Sequence, residues 1–164
     1  MSETDFVERF GGVYEHSPWI ARETWRRGLS GAEDTAEGLS AAMMETLTGA
    51  GHEQLLALIR AHPDLAGKAA MRGELTAESA SEQAGAGIGQ CTPEEFARFQ
   101  RLNDAYKNKF GIPFVMAVKG SNRHAILAAF EERLDNEPDT EFKRALGEID
   151  KIARLRLEAL AAGD

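Results

Sequence analysis

The chain of 164 residues has a single cysteine, Cys91, which excludes an internal disulfide and a cysteine-built zinc site. Nothing beside it in sequence argues for a lowered pKa, so it reads as a small hydrophobe rather than a nucleophile. Positive charge is also in short supply: 19 Lys and Arg against 27 Asp and Glu leave a net charge of -8, and the basic residues are scattered. That balance argues against nucleic acid or an anionic membrane as partner. No apolar run is long enough to span a bilayer, and the opening MSETDFVERF is acidic where a signal peptide is basic. The closing LAAGD carries no peroxisomal tripeptide, so the expected compartment is the cytoplasm. Walker, G-x-S-x-G, H-x3-H and HExxH patterns are all missing, as is a GxGxxG followed by a suitable acid. No metal site is expected, and any chemistry is cofactor-free acid/base work.

What is present is an ordinary globular balance, 43% hydrophobic and 28% charged, with no repeat and no low-complexity linker. One domain over residues 1–164 is expected. Apolar residues recur at three and four almost throughout, which predicts an all-α, single-domain compact bundle of about seven to nine helices. Thr4 and Asp5 can cap a first helix, made short or bent by Gly11 and Gly12, and Ser17-Pro18 starts a second. After a loop over 29–34, Ala36, Leu39, Met43 and Leu47 mark a helix ending at Gly49. A short one over about 52–60 stops at His62, because Pro63 disfavours helical backbone before it and lacks a donor. Thr92-Pro93-Glu94-Glu95 is a capping box that launches a helix carrying Phe96, Phe99, Leu102, Tyr106 and Lys109 on one side. Ser121 and Asn122 cap another, and the last runs over about 141–161.

Between these helices, Phe110 to Gly120 is the one apolar run with β-branched enrichment. It is either a helix, which Pro113 and Val115 discourage, or an extended buried segment near 112–118 without strand partners. In the second case its N–H and C=O groups need other partners, and a polar ligand is a candidate.

Three polar features stand out, each with more than one reading. His62, at a helix edge, is a satisfied structural histidine or an acid/base group facing a cleft. Ser79 to Glu82 fits S-x-x-E, a capping box, yet Ser79, Glu82 and Gln83 share one helix face opposite Ala77, Ala80 and Ala84 and could line a pocket. Arg156 falls within the apolar stripe of the last helix while Arg154 falls opposite. Arg156 therefore snorkels, pairs with a buried carboxylate, or meets an anion or carbonyl cluster.

The blocks HPDLAGKAA, SASEQAGAG, LNDAYKNKFGIPFVMAVKG and EIDKIARLRL, with FGGVYEHSPWIA near the start, occur in an order that resembles the 2-oxo-4-hydroxy-4-carboxy-5-ureidoimidazoline (OHCU) decarboxylases of uric acid breakdown. The likeness covers nearly the whole chain. It implies an all-helical homodimer, without metal or organic cofactor, that converts OHCU to (S)-allantoin and CO2. By motif it implies His62, Glu82 and Arg156 as catalytic residues, with Pro63, Ser79, Gln83 and the main chain around Phe114 and Met116 binding substrate. The alternative from the residues alone is a non-catalytic helical module that binds a ureide or small anion.

Overall fold

Helical spacing bounded by short polar caps puts the chain into helices from end to end. The computed structural model describes residues 1–163, which form nine α-helices and three short 3-10 turns with no strand among them. In order the helices are α1 (Glu3–Phe10), α2 (Trp19–Arg26), α3 (Ala36–Thr48), α4 (His52–Arg60), α5 (Lys68–Met71), α6 (Ala77–Gly85), α7 (Pro93–Phe110), α8 (Arg123–Leu134) and α9 (Pro138–Gly163). The 3-10 turns are Gly11–Val13, Gly31–Asp34 and Ile88–Gln90. The chain divides into two compact units, one of Met1–Ala61 with the part of α9 from Ile149 onward, the other His62–Glu148.

Local signals set most boundaries. Thr92 and Glu95 close the expected box on α7, with Pro93 at its first position, and Gly111 ends it in the left-handed region at φ 69°. Asn122 caps α8. The cap of α1 differs from expectation: Ser2 takes the role, accepting from Asp5 N at 3.2 Å while the Asp5 carboxylate accepts from Ser2 N at 3.0 Å. Asp5 serves at the third helical position, where its carboxylate reaches back to the cap. Lys109 also leaves the expected apolar side of α7; it is exposed and donates to Leu134 O.

In the second unit α7 packs on α8 around an aromatic cluster. Phe114 stacks on Phe130 at 3.9 Å between centroids, meets Tyr106 edge-on, and lies under the Arg133 guanidinium at 4.4 Å. Arg133 and Glu141 form a buried ion pair at 2.8 Å, and Glu141 also accepts from Tyr106 Oη at 2.6 Å and Asn136 Nδ2 at 2.9 Å. Burial, with the bond to Glu141, pushes the Tyr106 hydroxyl well above its usual range, so it stays a donor. Residues 113–118 belong to no helix or strand. Protein side chains satisfy part of that segment: Arg133 Nη1 donates to Val115 O at 2.7 Å, and Ala117 N donates to Glu148 Oε1 at 3.2 Å.

In the first unit α1 packs on α2 and α2 on α3, burying Phe6, Ile20 and Met43. Tyr14, 1% exposed, donates its hydroxyl to Asp150 Oδ1 at 2.9 Å. Burial holds the Asp150 carboxyl above its usual range, outweighing the opposing effect of that hydrogen bond. The folded protein thus keeps this proton to higher pH than the unfolded chain, where Asp titrates at about 3.9. The stability it contributes is complete below the unfolded pKa and is lost as pH rises through the folded one. Asn at this position keeps an acceptor for Tyr14 without a charge. We therefore expect Asp150→Asn to gain stability over wild type as pH rises, and the difference to vanish in acid, when urea unfolding is followed from about pH 3 to 7.

Candidate functional site

The site begins where Pro63 stops α4. Helical backbone ends at Arg60, Ala61 closes the helix, and His62 follows, 7% exposed. From His62 to Gly67 the main chain lies outside any helix, so its polar groups need partners from elsewhere. Three carboxamides supply them. Gln83 accepts from Ala66 N at 3.1 Å and donates to Asp64 O at 3.3 Å. Gln100 donates to Ala66 O at 2.6 Å and Asn103 to Leu65 O at 3.0 Å. Lys107 pairs with the Asp64 carboxylate. Ala66 sits at φ 54°, a left-handed conformation that costs an L-residue roughly 1–2 kcal/mol. Asn103 Oδ1 is buried without a partner among the described residues, at a cost of about 1–3 kcal/mol.

The second component is α6. Its cap is Thr76, whose hydroxyl accepts from Ser79 N at 3.2 Å, so Ser79 and Glu82 stand inside the helix and the S-x-x-E capping reading does not hold. Ser79 and Gln83 are buried and Glu82 is half-buried, while Ala77, Ala80 and Ala84 face solvent. The polar face thus turns inward. Gln83 ties that face to the loop that carries His62, and Glu82 is its immediate neighbour in the chain.

Arg156 belongs to the first unit. It is buried, with Nη2 on Glu15 Oε2 at 2.9 Å and Nη1 on Gly12 O at 3.2 Å, so a buried carboxylate and a carbonyl both meet it. Arg154 is exposed and pairs with Glu158, as the helical spacing predicts. Among the expected substrate-binding residues of the second unit, Pro63 and Met116 are half-buried. Phe114 is 1% exposed and its ring is committed to the aromatic cluster, which leaves its main chain as the part to offer a ligand.

Sequence reasoning missed Gln100, Asn103, Glu15 and the Arg133–Glu141 pair. Asn103 had a signal: it lies between Leu102 and Tyr106 on the apolar face of α7, a polar residue where a hydrophobe is due. Cys91 is half-buried and burial raises its thiol, in keeping with the inert reading. It lines a cavity of about 490 Å³ with Ala66, Gln83, Ala84, Ile88 and Phe96, whose walls hold no acid or base besides that thiol. We therefore do not place the chemistry there. Among the described residues no group of three or more His, Cys, Asp or Glu is placed to hold a metal ion, and no helix is long and apolar enough to cross a membrane.

Fold and site define an all-α protein with a buried histidine in a loop pinned by side chains. A family model described as OHCU decarboxylase matches residues 1–158. The chain belongs to the OHCU decarboxylase family. It is 45% identical over 155 residues to the 2-oxo-4-hydroxy-4-carboxy-5-ureidoimidazoline decarboxylase of Halalkalicoccus jeotgali, covering 94% of this chain and 84% of that one. The mouse (Mus musculus) protein of the same name is 41% identical, covering 98% of this chain and 88% of its own. Among solved structures, that of (S)-allantoin synthase superposes with a TM-score of 0.75 at 30% identity, covering 98% of this chain and 51% of that one.

The geometry of the His62 loop gives a direct test. A Cβ on Gly67 would lie 2.6 Å from Asp64 Cβ, which cannot swing aside as a side-chain tip would. We expect Gly67→Ala to cost about 1–3 kcal/mol in chemical unfolding, and to change the amide exchange of Leu65 and Ala66 more than that of α8.

Proposed function

We propose that this chain is an OHCU decarboxylase, a carboxy-lyase of urate degradation that releases CO2 from 2-oxo-4-hydroxy-4-carboxy-5-ureidoimidazoline and yields (S)-allantoin. The observation that carries the reading is the polar face of α6 turned inward and hydrogen-bonded to the His62 loop, within a family match over residues 1–158. That match spans both units, which supports one OHCU decarboxylase-like domain.

The substrate supplies its own electron sink. Its carboxylate sits on a carbon that bears a hydroxyl and adjoins a C=N bond. When the bond to CO2 breaks, the electron pair forms a C=C bond to the ureido carbon, and the C=N pair moves onto the ring nitrogen, which takes a proton. The hydroxyl proton then leaves, the hydroxyl carbon becomes a carbonyl, and the ureido carbon is protonated from one face. The enzyme's tasks are to orient the carboxylate, manage the hydroxyl proton and deliver the last proton stereospecifically.

His62 and Glu82 are the pair we assign to the hydroxyl and carboxylate, one of them acting as the acid. Ser79, Gln83, Pro63 and the main chain at Phe114 and Met116 hold the remaining polar atoms, as suits a small polar ligand fixed by a few convergent hydrogen bonds. Arg156 is read as the group for a substrate carbonyl or for negative charge developing as CO2 leaves. Its support is the fixed aim that Glu15 and Gly12 O give the guanidinium. The reading assigns the reaction no metal and no organic cofactor. It takes the working form to be a homodimer on the strength of the family resemblance, and its compartment to be the cytoplasm from the absence of a targeting pattern in the sequence.

The deciding experiment generates OHCU from urate with the two preceding enzymes and follows optical activity. Spontaneous decay gives racemic allantoin, and the enzyme gives the S form. A racemic course unchanged by the protein leaves only a helical module that binds a ureide or small anion, or a helical scaffold in which these residues cap and pair. Within an active enzyme, His62→Asn and Glu82→Gln should each lower kcat by about 10²- to 10⁴-fold while the unfolding transition is kept. Arg156→Lys retains the charge but loses the planar fork, so kcat/KM should fall by more than about tenfold and allantoin should bind more weakly in calorimetry.

A further inference from the structure

We infer that Gln100 and Asn103 are positioning residues for this reaction: with Gln83, their carboxamides hold the main chain two to four residues after His62 and so set where the imidazole sits. The inference rests on the reading of His62 as a catalytic group.

Three successive carbonyls, those of Asp64, Leu65 and Ala66, each accept from a different carboxamide, and Gln83 closes the set by accepting from Ala66 N. Their bonds converge on a stretch that passes through the left-handed region at Ala66. A strained conformation persists only where its surroundings over-determine it, and these four bonds do so. The donors come from two helices, Gln83 on α6 and Gln100 and Asn103 on α7, so the loop is gripped from both.

Asn103 shows most plainly that the grip is what is retained. The residue is 3% exposed on the apolar face of α7, and its Oδ1 has no partner among the described residues. Leucine has the same branched shape and would remove the unpaired Oδ1, but it would take the donor away from Leu65 O. What asparagine adds there is one N–H directed at Leu65 O. Gln100 adds the shortest bond of the set, at 2.6 Å, from a side chain that is only half-buried and so has little core packing to supply. A displacement of about 1 Å in a reacting group is enough to cost roughly 10²-fold in rate, so a held loop is a kinetic asset.

The test uses Gln100→Met and Asn103→Leu, which keep the side-chain skeleton and remove the donors, and Gln100→Arg, which restores an N–H donor. Each is assayed on OHCU, unfolded in urea, and examined by NMR titration of the His62 imidazole, assigned by its loss in His62→Asn. We expect Gln100→Met and Asn103→Leu to lower kcat by about 10- to 100-fold with KM within about threefold. The His62 resonances should shift, and Gln100→Arg should recover most of the lost kcat. Wild-type kcat in both donor-less variants overturns the proposal. So does a loss that only tracks unfolding, with an unchanged His62 spectrum and no recovery in Gln100→Arg. Should the wild type fail to turn over OHCU, the decarboxylase reading falls by itself; the His62 spectra still decide the clamp, since spectra unmoved in both variants refute it.

Discussion

A polypeptide that leaves a helix inside a protein carries its N–H and C=O groups with it, and each needs a partner once water is excluded. Two stretches of the second unit are in that position, the loop after Pro63 and the run 113–118. Both find partners in side chains rather than in a sheet: neutral carboxamides for the first, Arg133 at Val115 O and Glu148 at Ala117 N for part of the second. Much of the polar interior of this unit follows from that need.

The charged solution is the costlier of the two. Burying Arg133 and Glu141 takes two ions out of water, and the pair is tolerable because further hydrogen bonds meet both partners. Glu141 accepts from Tyr106 and Asn136 besides Arg133, and Arg133 reaches Val115 O and lies over Phe114. Removing one member would leave the other as an uncompensated buried charge, typically a loss of about 3–5 kcal/mol. The same logic explains Arg156, whose burial depends on Glu15, itself 1% exposed.

Which parts were legible in sequence follows from the range of the forces involved. Pro63, the Thr92–Glu95 box, Gly111 and the cap at Asn122 act within a few residues, and they mark helix ends correctly. Arg156 betrayed itself as a cation on an apolar stripe, but its carboxylate stands 141 positions earlier and no local pattern points to Glu15. Glu141 stands in the first turn of α9, where Asp and Glu belong on electrostatic grounds whether or not they are buried, so its position gives no sign of its partner. The S-x-x-E motif was ambiguous for the opposite reason: two legitimate caps, Thr76 and Ser79, lie three residues apart, and the chain uses the earlier one. The inward face of Ser79, Glu82 and Gln83 was legible from helical spacing, while Gln100 and Asn103, which hold the loop with Gln83, were not, since a carboxamide's partner on a distant main chain leaves no periodic trace.

The choice of Gln83, Gln100 and Asn103 to hold the His62 loop has a consequence for how the protein answers to acidity. Carboxamides do not ionise, so the bonds to the main chain of Asp64, Leu65 and Ala66 keep the same donors and acceptors across the whole range in which an imidazole gains or loses a proton. Apart from the Lys107–Asp64 pair, the contacts that hold this main chain carry no charge, so they set the loop's path independently of protonation.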